Sequence, residues 1–180
     1  MVTEAEARRI RPMMSGIVAL AVALVAAIGW YYAGKPNDDQ VQLPTAEWKV
    51  LVKAGRQDGK LAMVSPAELP KGWRATNAEY LPGVDPRWRL ALNTDRGRFV
   101  GILEARNPVD DLMADSTDGE PAGGPEVRID GVAWRSWTAG DDYFLVRTLT
   151  GPKGVEENVV VGGSAPETVI KNFVASLRTS

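Results

Sequence analysis

Residues 126–138 read Glu-Val-Arg-Ile-Asp-Gly-Val-Ala-Trp-Arg-Ser-Trp-Thr, and this stretch predicts a β-hairpin. The pair Asp130-Gly131 separates two short runs in which β-branched and aromatic residues are frequent. A two-residue type I′ turn requires positive φ at both central positions, and the Asp-Gly pair tolerates that conformation. We therefore expect two antiparallel strands that meet at Asp130-Gly131.

Short β-rich runs also occur on both sides of this hairpin. After Gly72 the chain consists largely of short β-rich runs that are separated by Gly, Pro and Asp, a pattern typical of an antiparallel sheet. About seven strands are predicted: Trp73–Leu81, Trp88–Thr94, Phe99–Ala105, Glu126–Ile129, Val132–Thr138, Tyr143–Thr150 and Glu156–Gly162.

A helix is predicted to close the chain and to pack across this sheet. Ser164 and Glu167 have the spacing of a capping box, in which each side chain bonds the backbone amide of the other residue. The residues that follow place apolar side chains on one helical face. These are Val169, Ile170, Phe173, Val174 and Leu177.

Three other segments are assigned from their composition. The spacing of Trp48, Leu51, Val52 and Gly55 favours a short helix over a strand, although Val50 and Val52 also alternate with lysines as they would in a strand. A short helix is predicted at 108–114, followed by a mobile Gly- and Pro-rich loop at 115–125. The fold class is thus α+β, with one domain at 45–180.

The N-terminal part of the chain predicts a membrane anchor. Residues 13–33 contain no acidic or basic residue. As a helix they would span about 31 Å, which matches a hydrocarbon core of about 30 Å. The residues expected at the two membrane interfaces are Arg8, Arg9, Arg11, Trp30, Tyr31 and Tyr32.

The charges that flank the anchor predict its orientation. Three arginines precede it, whereas Asp38 and Asp39 follow it, so the N-terminus is expected in the cytoplasm. The predicted organisation is a cytoplasmic tip at 1–12, a single transmembrane helix at 13–33, a linker at 34–44, and an extracytoplasmic domain. A cleaved signal peptide that ends near Gly29 is the alternative.

Composition excludes several chemistries. The chain contains no His and no Cys, so it lacks imidazole bases, disulfides and the usual ligands of zinc, copper and haem. We therefore expect no cofactor and no metal. The net charge of −2 offers no electrostatic argument for nucleic-acid binding.

Three sets of side chains are candidate sites. The first set is an acidic cluster within 110–120. Its carboxylates could hold Ca²⁺, but their spacing differs from that of an EF-hand and favours a solvated loop. A carboxylate hydrolase would need two acids at a fixed separation. Tryptophans exposed on one face would form a stacking platform, although core packing is expected for most of them, and Trp134 and Trp137 should point to opposite faces. The three sets are Asp110, Asp111, Asp115, Asp118 and Glu120; Glu79, Glu104, Asp141 and Asp142; and Trp48, Trp73, Trp88, Trp134 and Trp137.

Several motifs resemble those of one family. Together with the basic tip and anchor, the stretches at 66–74, 129–134, 161–167 and 175–177 resemble the actinobacterial domain-of-unknown-function family numbered 4245. The resemblance implies a membrane-tethered envelope domain with no assigned activity and hence no catalytic residue. The order of sheet and helices also looks like that of PsbP/Mog1-like domains.

The expected function is a non-enzymatic binding or accessory module of the cell envelope. Its partner would be an envelope protein or a cell-wall polymer. Two alternatives remain: a hydrolase that acts on an envelope glycan through two carboxylates, and a small-ligand carrier with an apolar cavity of about 300 Å³ or more between the sheet and the final helix.

Overall fold

The computed structural model of the chain describes residues 47–178. The helices are α1 (Glu47–Asp58), α2 (Val109–Ser116) and α3 (Glu167–Ala175). The strands are β1 (Ser65–Pro66), β2 (Arg74–Leu81), β3 (Arg87–Asn93), β4 (Phe99–Ala105), β5 (Ala122–Ile129), β6 (Val132–Ala139), β7 (Asp142–Thr150), β8 (Glu156–Gly163) and β9 (Leu177–Arg178).

The predicted α+β fold with an antiparallel sheet is confirmed. Seven strands form one sheet in the order β2-β3-β4-β8-β7-β6-β5, and every neighbouring pair is antiparallel. The hairpin at Asp130-Gly131 is also confirmed, because both residues have positive φ (49° and 80°) and Ile129 pairs with Val132. The short strands β1 and β9, which were not predicted, pair with each other.

Successive side chains of each strand point to opposite faces of the sheet, and both faces carry apolar side chains. The first face is covered by α1, by α3 and by the segment 61–64, and it carries the larger core cluster. The second face carries a smaller cluster around α2, with Leu112 and Met113 packed against Phe144 and Val160. The sheet is therefore the middle layer of the domain.

The tryptophans mainly belong to the core, as predicted. Trp48, Trp88 and Trp134 are buried in the cluster of the first face. Trp73 is half-buried, and its ring centroid lies 5.1 Å from that of Phe173. Trp137 packs against the cluster of the second face, so the predicted opposite orientation of Trp134 and Trp137 is confirmed.

The predicted capping box is wrong. Helix α3 begins at Glu167, its N-cap is Pro166, and no side chain caps it. The Ser164 hydroxyl instead accepts a hydrogen bond of 3.0 Å from the Phe99 N–H, because the chain after β8 still runs beside β4. Glu167 lies in the first turn of the helix and forms an ion pair of 2.6 Å with Lys171.

Two other boundaries differ from the prediction. The expected loop at 115–125 is shorter, because α2 continues to Ser116 and β5 already begins at Ala122. The register of β5 shifts between Gly123 and Glu126, where a bulge lets the strand pass Pro125, which has no N–H to donate. The predicted N-terminal helix corresponds to α1.

The predicted anchor, its interface residues, the cytoplasmic tip and the linker at 34–44 lie outside the described residues. Among the helices within 47–178, none combines the length and the apolar character that crossing a bilayer requires.

Candidate functional site

Two acidic side chains lie in the core of the first face. Glu104, on β4, follows Val100 and Ile102 on the same side of that strand, and its side chain is 0 % exposed. Glu157 precedes Val159 and Val161 in the same way on the neighbouring β8, and it is 1 % exposed. The sheet therefore brings two carboxyl groups together among apolar side chains.

These carboxyl groups bind the backbone of the buried segment 61–64. The Met63 N–H donates to Glu104 Oε1 at 2.9 Å, and the Val64 N–H donates to Glu104 Oε2 at 2.6 Å. The Ala62 N–H donates to Glu157 Oε1 at 2.8 Å. Since buried amides need partners, the two carboxyl groups replace the strand neighbour that this segment lacks.

The backbone of this segment is strained at one residue. Met63 has a φ of 56°, a conformation that a long side chain rarely adopts outside special sites. Its side chain is completely buried, and the two amides beside it are held by Glu104. The carboxyl groups and the core thus together maintain a conformation that Met63 would not favour by itself.

Burial makes protonation of this pair easier. Loss of solvation raises the pKa of Glu104 to about 8, and the neighbouring Glu157 adds to the increase, although the two backbone amides oppose it. Burial also raises the pKa of Glu157, while the Ala62 amide and the Arg106 guanidinium counteract part of the shift. The pair therefore favours a state in which it holds at least one proton.

This geometry does not form a hydrolytic cleft. Among the described grooves, none is lined by Glu104 or Glu157. The other acids considered for hydrolysis lie elsewhere, with Glu79 on β2 and Asp141 and Asp142 at the β6–β7 turn. The sequence analysis did not single out Glu157, but its place in the buried alternation of β8 was a usable signal.

A basic groove lies between α1 and the β1–β9 pair, with a volume of about 490 Å³. Four cationic side chains line it, and none of its described lining residues is acidic. We call it the basic groove; its lining residues are Trp48, Lys49, Val52, Lys53, Arg56, Gln57, Ser65, Pro66, Ala67 and Arg178. Sequence reasoning missed it because its walls come from opposite ends of the domain.

The cations of the basic groove are mostly not neutralised within the described residues. Lys49 pairs with Glu68 at 2.6 Å, and Arg56 Nη2 lies 3.4 Å from the Ser65 hydroxyl. Within 47–178, neither Lys53 nor Arg178 forms an ion pair. This leaves a concave surface with excess positive charge.

Trp48 is one of the residues that line the basic groove. Its side chain is 2 % exposed, and its indole Nε1 finds no hydrogen-bond acceptor in the described part of the chain. Buried indole N–H groups usually find a partner. Trp48 also lies next to Lys49, whose Nζ is 5.6 Å from the ring centroid. Trp48 therefore belongs mainly to the core and contributes part of one wall of the groove.

A second groove of about 780 Å³ lies at the β5–β7 side of the sheet. Arg128, Arg135 and Arg147 line it together with Trp137, but so do the acidic residues Asp110 and Glu126. Arg128 forms an ion pair of 3.5 Å with Glu126. The positive charge here is partly balanced, so this groove is the weaker candidate for an anionic ligand.

The remaining candidates are smaller or more dispersed. The cleft between the sheet and α3 measures about 180 Å³, below the size expected for a carrier. In the acidic cluster, Asp115 pairs with Arg87 at 2.7 Å. No group of three or more acidic side chains within 47–178 is placed to hold a metal ion.

The sequence profile described as "Protein of unknown function (DUF4245)" matches residues 7–177 of the chain. The chain belongs to this family. The match extends over both the predicted anchor and the described DUF4245 domain, which confirms the resemblance found in the sequence. No curated protein is similar enough to the chain to count as a relative.

Two solved structures are distantly similar to the DUF4245 chain. A chain in the complex structure of Pseudomonas aeruginosa MucA/MucB is 15 % identical, with a TM-score of 0.38 over 65 % of this chain and 35 % of that chain. A chain in the crystal structure of MucB in complex with MucA(peri) is 15 % identical, with a TM-score of 0.39 over 65 % and 36 %. The chain thus spans about a third of the solved chains, and similarity at this level carries no functional conclusion.

Proposed function

We propose that this DUF4245 chain is a membrane-tethered envelope domain that binds an anionic component of the envelope and catalyses no reaction. The observation that carries the proposal is the basic groove, where four cations face one concavity without an acidic lining residue. Clefts lined by one sign of charge concentrate ligands of the opposite sign. An acidic protein segment and an acidic cell-wall polymer are the partners that fit this chemistry.

The use of the buried acids supports binding over hydrolysis. A catalytic pair must present its oxygens to a substrate, whereas three of the four carboxyl oxygens of Glu104 and Glu157 accept backbone hydrogen bonds. The hydrolase and the small-ligand carrier remain alternatives. The similarity of the fold to PsbP/Mog1-like domains stays a prediction.

The membrane placement rests on the sequence. A transmembrane helix at 13–33, preceded by three arginines, would leave the domain outside the cytoplasm. A reporter fused behind Ser180 that is active only outside the cytoplasm is the expected result. Activity confined to the cytoplasm would contradict the orientation, and a mature chain that begins after Gly29 would contradict the anchor.

Binding is tested with the full chain and two anionic probes, labelled polyglutamate and a labelled polyuronate. We expect at least one probe to bind in a titration followed by fluorescence anisotropy. The double variant Lys53→Glu/Arg56→Glu should weaken binding about tenfold or more, because it places negative charge where the anion would lie. Binding should also weaken with salt, since the Debye length falls from about 10 Å at 0.1 M to about 3 Å at 1 M.

The matched control reverses two exposed arginines at the β3–β4 turn. Arg96→Glu/Arg98→Glu changes the net charge by the same amount but lies away from the basic groove. It should retain most of the affinity. Equal losses in the two variants would show a nonspecific charge effect and would contradict the proposal, as would the failure of both probes to bind the unmodified chain.

A further inference from the structure

We infer that the anion bound by the basic groove is the phosphate-bearing headgroup layer of the membrane that anchors the chain, so that α1 lies on the bilayer surface. This inference rests on the proposed function, since it names the partner of the same groove. It adds a position for the domain: docked on its own membrane instead of extended away from it.

The length of the connecting chain permits this docking. Thirteen residues, 34–46, separate the predicted anchor from the first residue of α1. Thirteen residues can reach at most about 45 Å when fully extended. Trp48 and Lys49, in the first turn of α1, already line the basic groove. If residues 13–33 span the membrane, this length of chain allows the groove to reach the bilayer surface.

The exposed side of α1 has the chemistry of a helix that lies at a membrane interface. Lys49, Lys53 and Arg56 recur at spacings of four and three residues and so lie along one side of the helix. Val50, which is 66 % exposed, lies beside them. Basic residues on an exposed surface are attracted to anionic headgroups.

The groove also offers the groups that a phosphate requires. A phosphate has several strong acceptor oxygens, and its best partners are arginine, lysine and N–H donors. Arg56 and Arg178 line the groove together with Lys53. A volume of about 490 Å³ admits a headgroup.

Tethering favours the membrane over a separate acidic protein. Linking a binding site to its ligand raises the effective concentration of that ligand without any new contact. Attraction between the groove and the headgroups acts over a Debye length of about 8 Å at physiological salt, a distance that the linker allows. An acidic protein would have to compete with headgroups that are always present.

The test uses the full chain in nanodiscs and a single spin label. Because the chain contains no Cys, Val50→Cys provides one attachment site on α1. In nanodiscs with phosphatidylglycerol we expect the label to be accessible to oxygen and shielded from a water-soluble nickel chelate. In nanodiscs of phosphatidylcholine alone, which carry no net charge, the label should be accessible to the chelate.

Two controls locate the contact. A label introduced by Asp141→Cys lies in the β6–β7 turn, next to the end of β8 that contains Gly163. The segment 61–64, which leads into the groove, is bonded to the opposite end of β8, at Glu157. This label should remain in water in both lipids. Lys53→Gln should lower the ratio of docked to undocked domain about fivefold, the contribution of one basic residue near an anionic surface. Arg96→Gln should leave this ratio unchanged.

The outcomes separate this inference from the proposed function. If the Val50 label stays in water in both lipids while labelled polyglutamate still binds through Lys53 and Arg56, the headgroup inference is overturned and an acidic protein becomes the partner. If the label stays in water and neither probe binds, both proposals fail. If the label leaves water equally in both lipids, the contact is not electrostatic and the inference also fails.

Discussion

The buried acids and the exposed bases of this domain use charge in opposite ways. Glu104 and Glu157 lie in the core, and three of their oxygens accept hydrogen bonds from the segment 61–64. In the basic groove, Lys53 and Arg178 form no ion pair within the described residues. The two regions are adjacent, because the segment held by the acids continues directly into Ser65 and Pro66, which line the groove.

This difference distinguishes charge that stabilises the fold from charge that is available to a ligand. A buried carboxyl group whose oxygens are occupied cannot bind a second partner without breaking the core. An exposed cation without a partner can be neutralised from outside at little structural cost. The expected consequence is a separation of effects: changes to the acids alter stability, and changes to the bases alter binding.

The largest effect is expected for Glu104→Ala. The substitution removes two hydrogen bonds, leaves the buried amides of Met63 and Val64 without acceptors, and opens a cavity beneath a strained residue. We expect the free energy of unfolding to fall by about 3–5 kcal/mol, measured by chemical denaturation. Glu79→Ala, on an exposed position of β2, should change it by less than about 0.5 kcal/mol. Similar losses in the two variants would contradict the structural role of Glu104.

A change of a single pH unit is expected to have a smaller effect. The folded pKa of Glu104, about 8, exceeds its ordinary value of 4.5, so its full stabilising contribution is present below pH 4.5 and is lost as pH rises to about 8. In this window the free energy of unfolding should fall by up to about 1.4 kcal/mol per pH unit.

Denaturation curves at several pH values measure this slope. Glu104→Gln carries no titrating group, so it should reduce the slope, while Glu79→Gln should retain it. A Glu104→Gln protein with an unchanged slope would show that another group is responsible. Glu157, whose pKa is also raised by burial, would then be the next residue to substitute.

The smallest effect on stability is expected in the basic groove. Lys53 and Arg56 are exposed, and reversing both charges should change the free energy of unfolding by less than about 1 kcal/mol. The same variant should lose most of its affinity for an anionic probe. A large loss of stability in Lys53→Glu/Arg56→Glu would show that these cations support the fold, and the separation between the two regions would not hold.

The success of the sequence predictions depended on the range of the interactions. The hairpin at Asp130-Gly131 was predictable because turn conformation is set by the two residues themselves. The capping box failed because Ser164 could satisfy a distant amide, that of Phe99, instead of a local one. Local sequence preferences therefore predicted the helix correctly, but they did not predict the hydrogen-bond partner of Ser164.

Both candidate regions depend on contacts between distant parts of the chain. Ala62 and Glu157, which are bonded to each other, lie 95 positions apart, and Met63 and Glu104 lie 41 apart. The basic groove likewise joins α1 to Arg178 near the other end of the domain. Alternation within a strand marks which residues face the core, but it does not state what those residues meet there.

The amino-acid order alone was enough to establish the antiparallel α+β fold, most strand positions, and the absence of histidine and cysteine chemistry. These features follow from backbone preferences and hydrophobic periodicity over a few neighbouring residues, together with composition. Folding of the whole domain was needed to place two acids against three amides and to collect four cations around one groove. Such partnerships form only when long loops close and the sheet sets the register, and no short stretch of sequence contains that information.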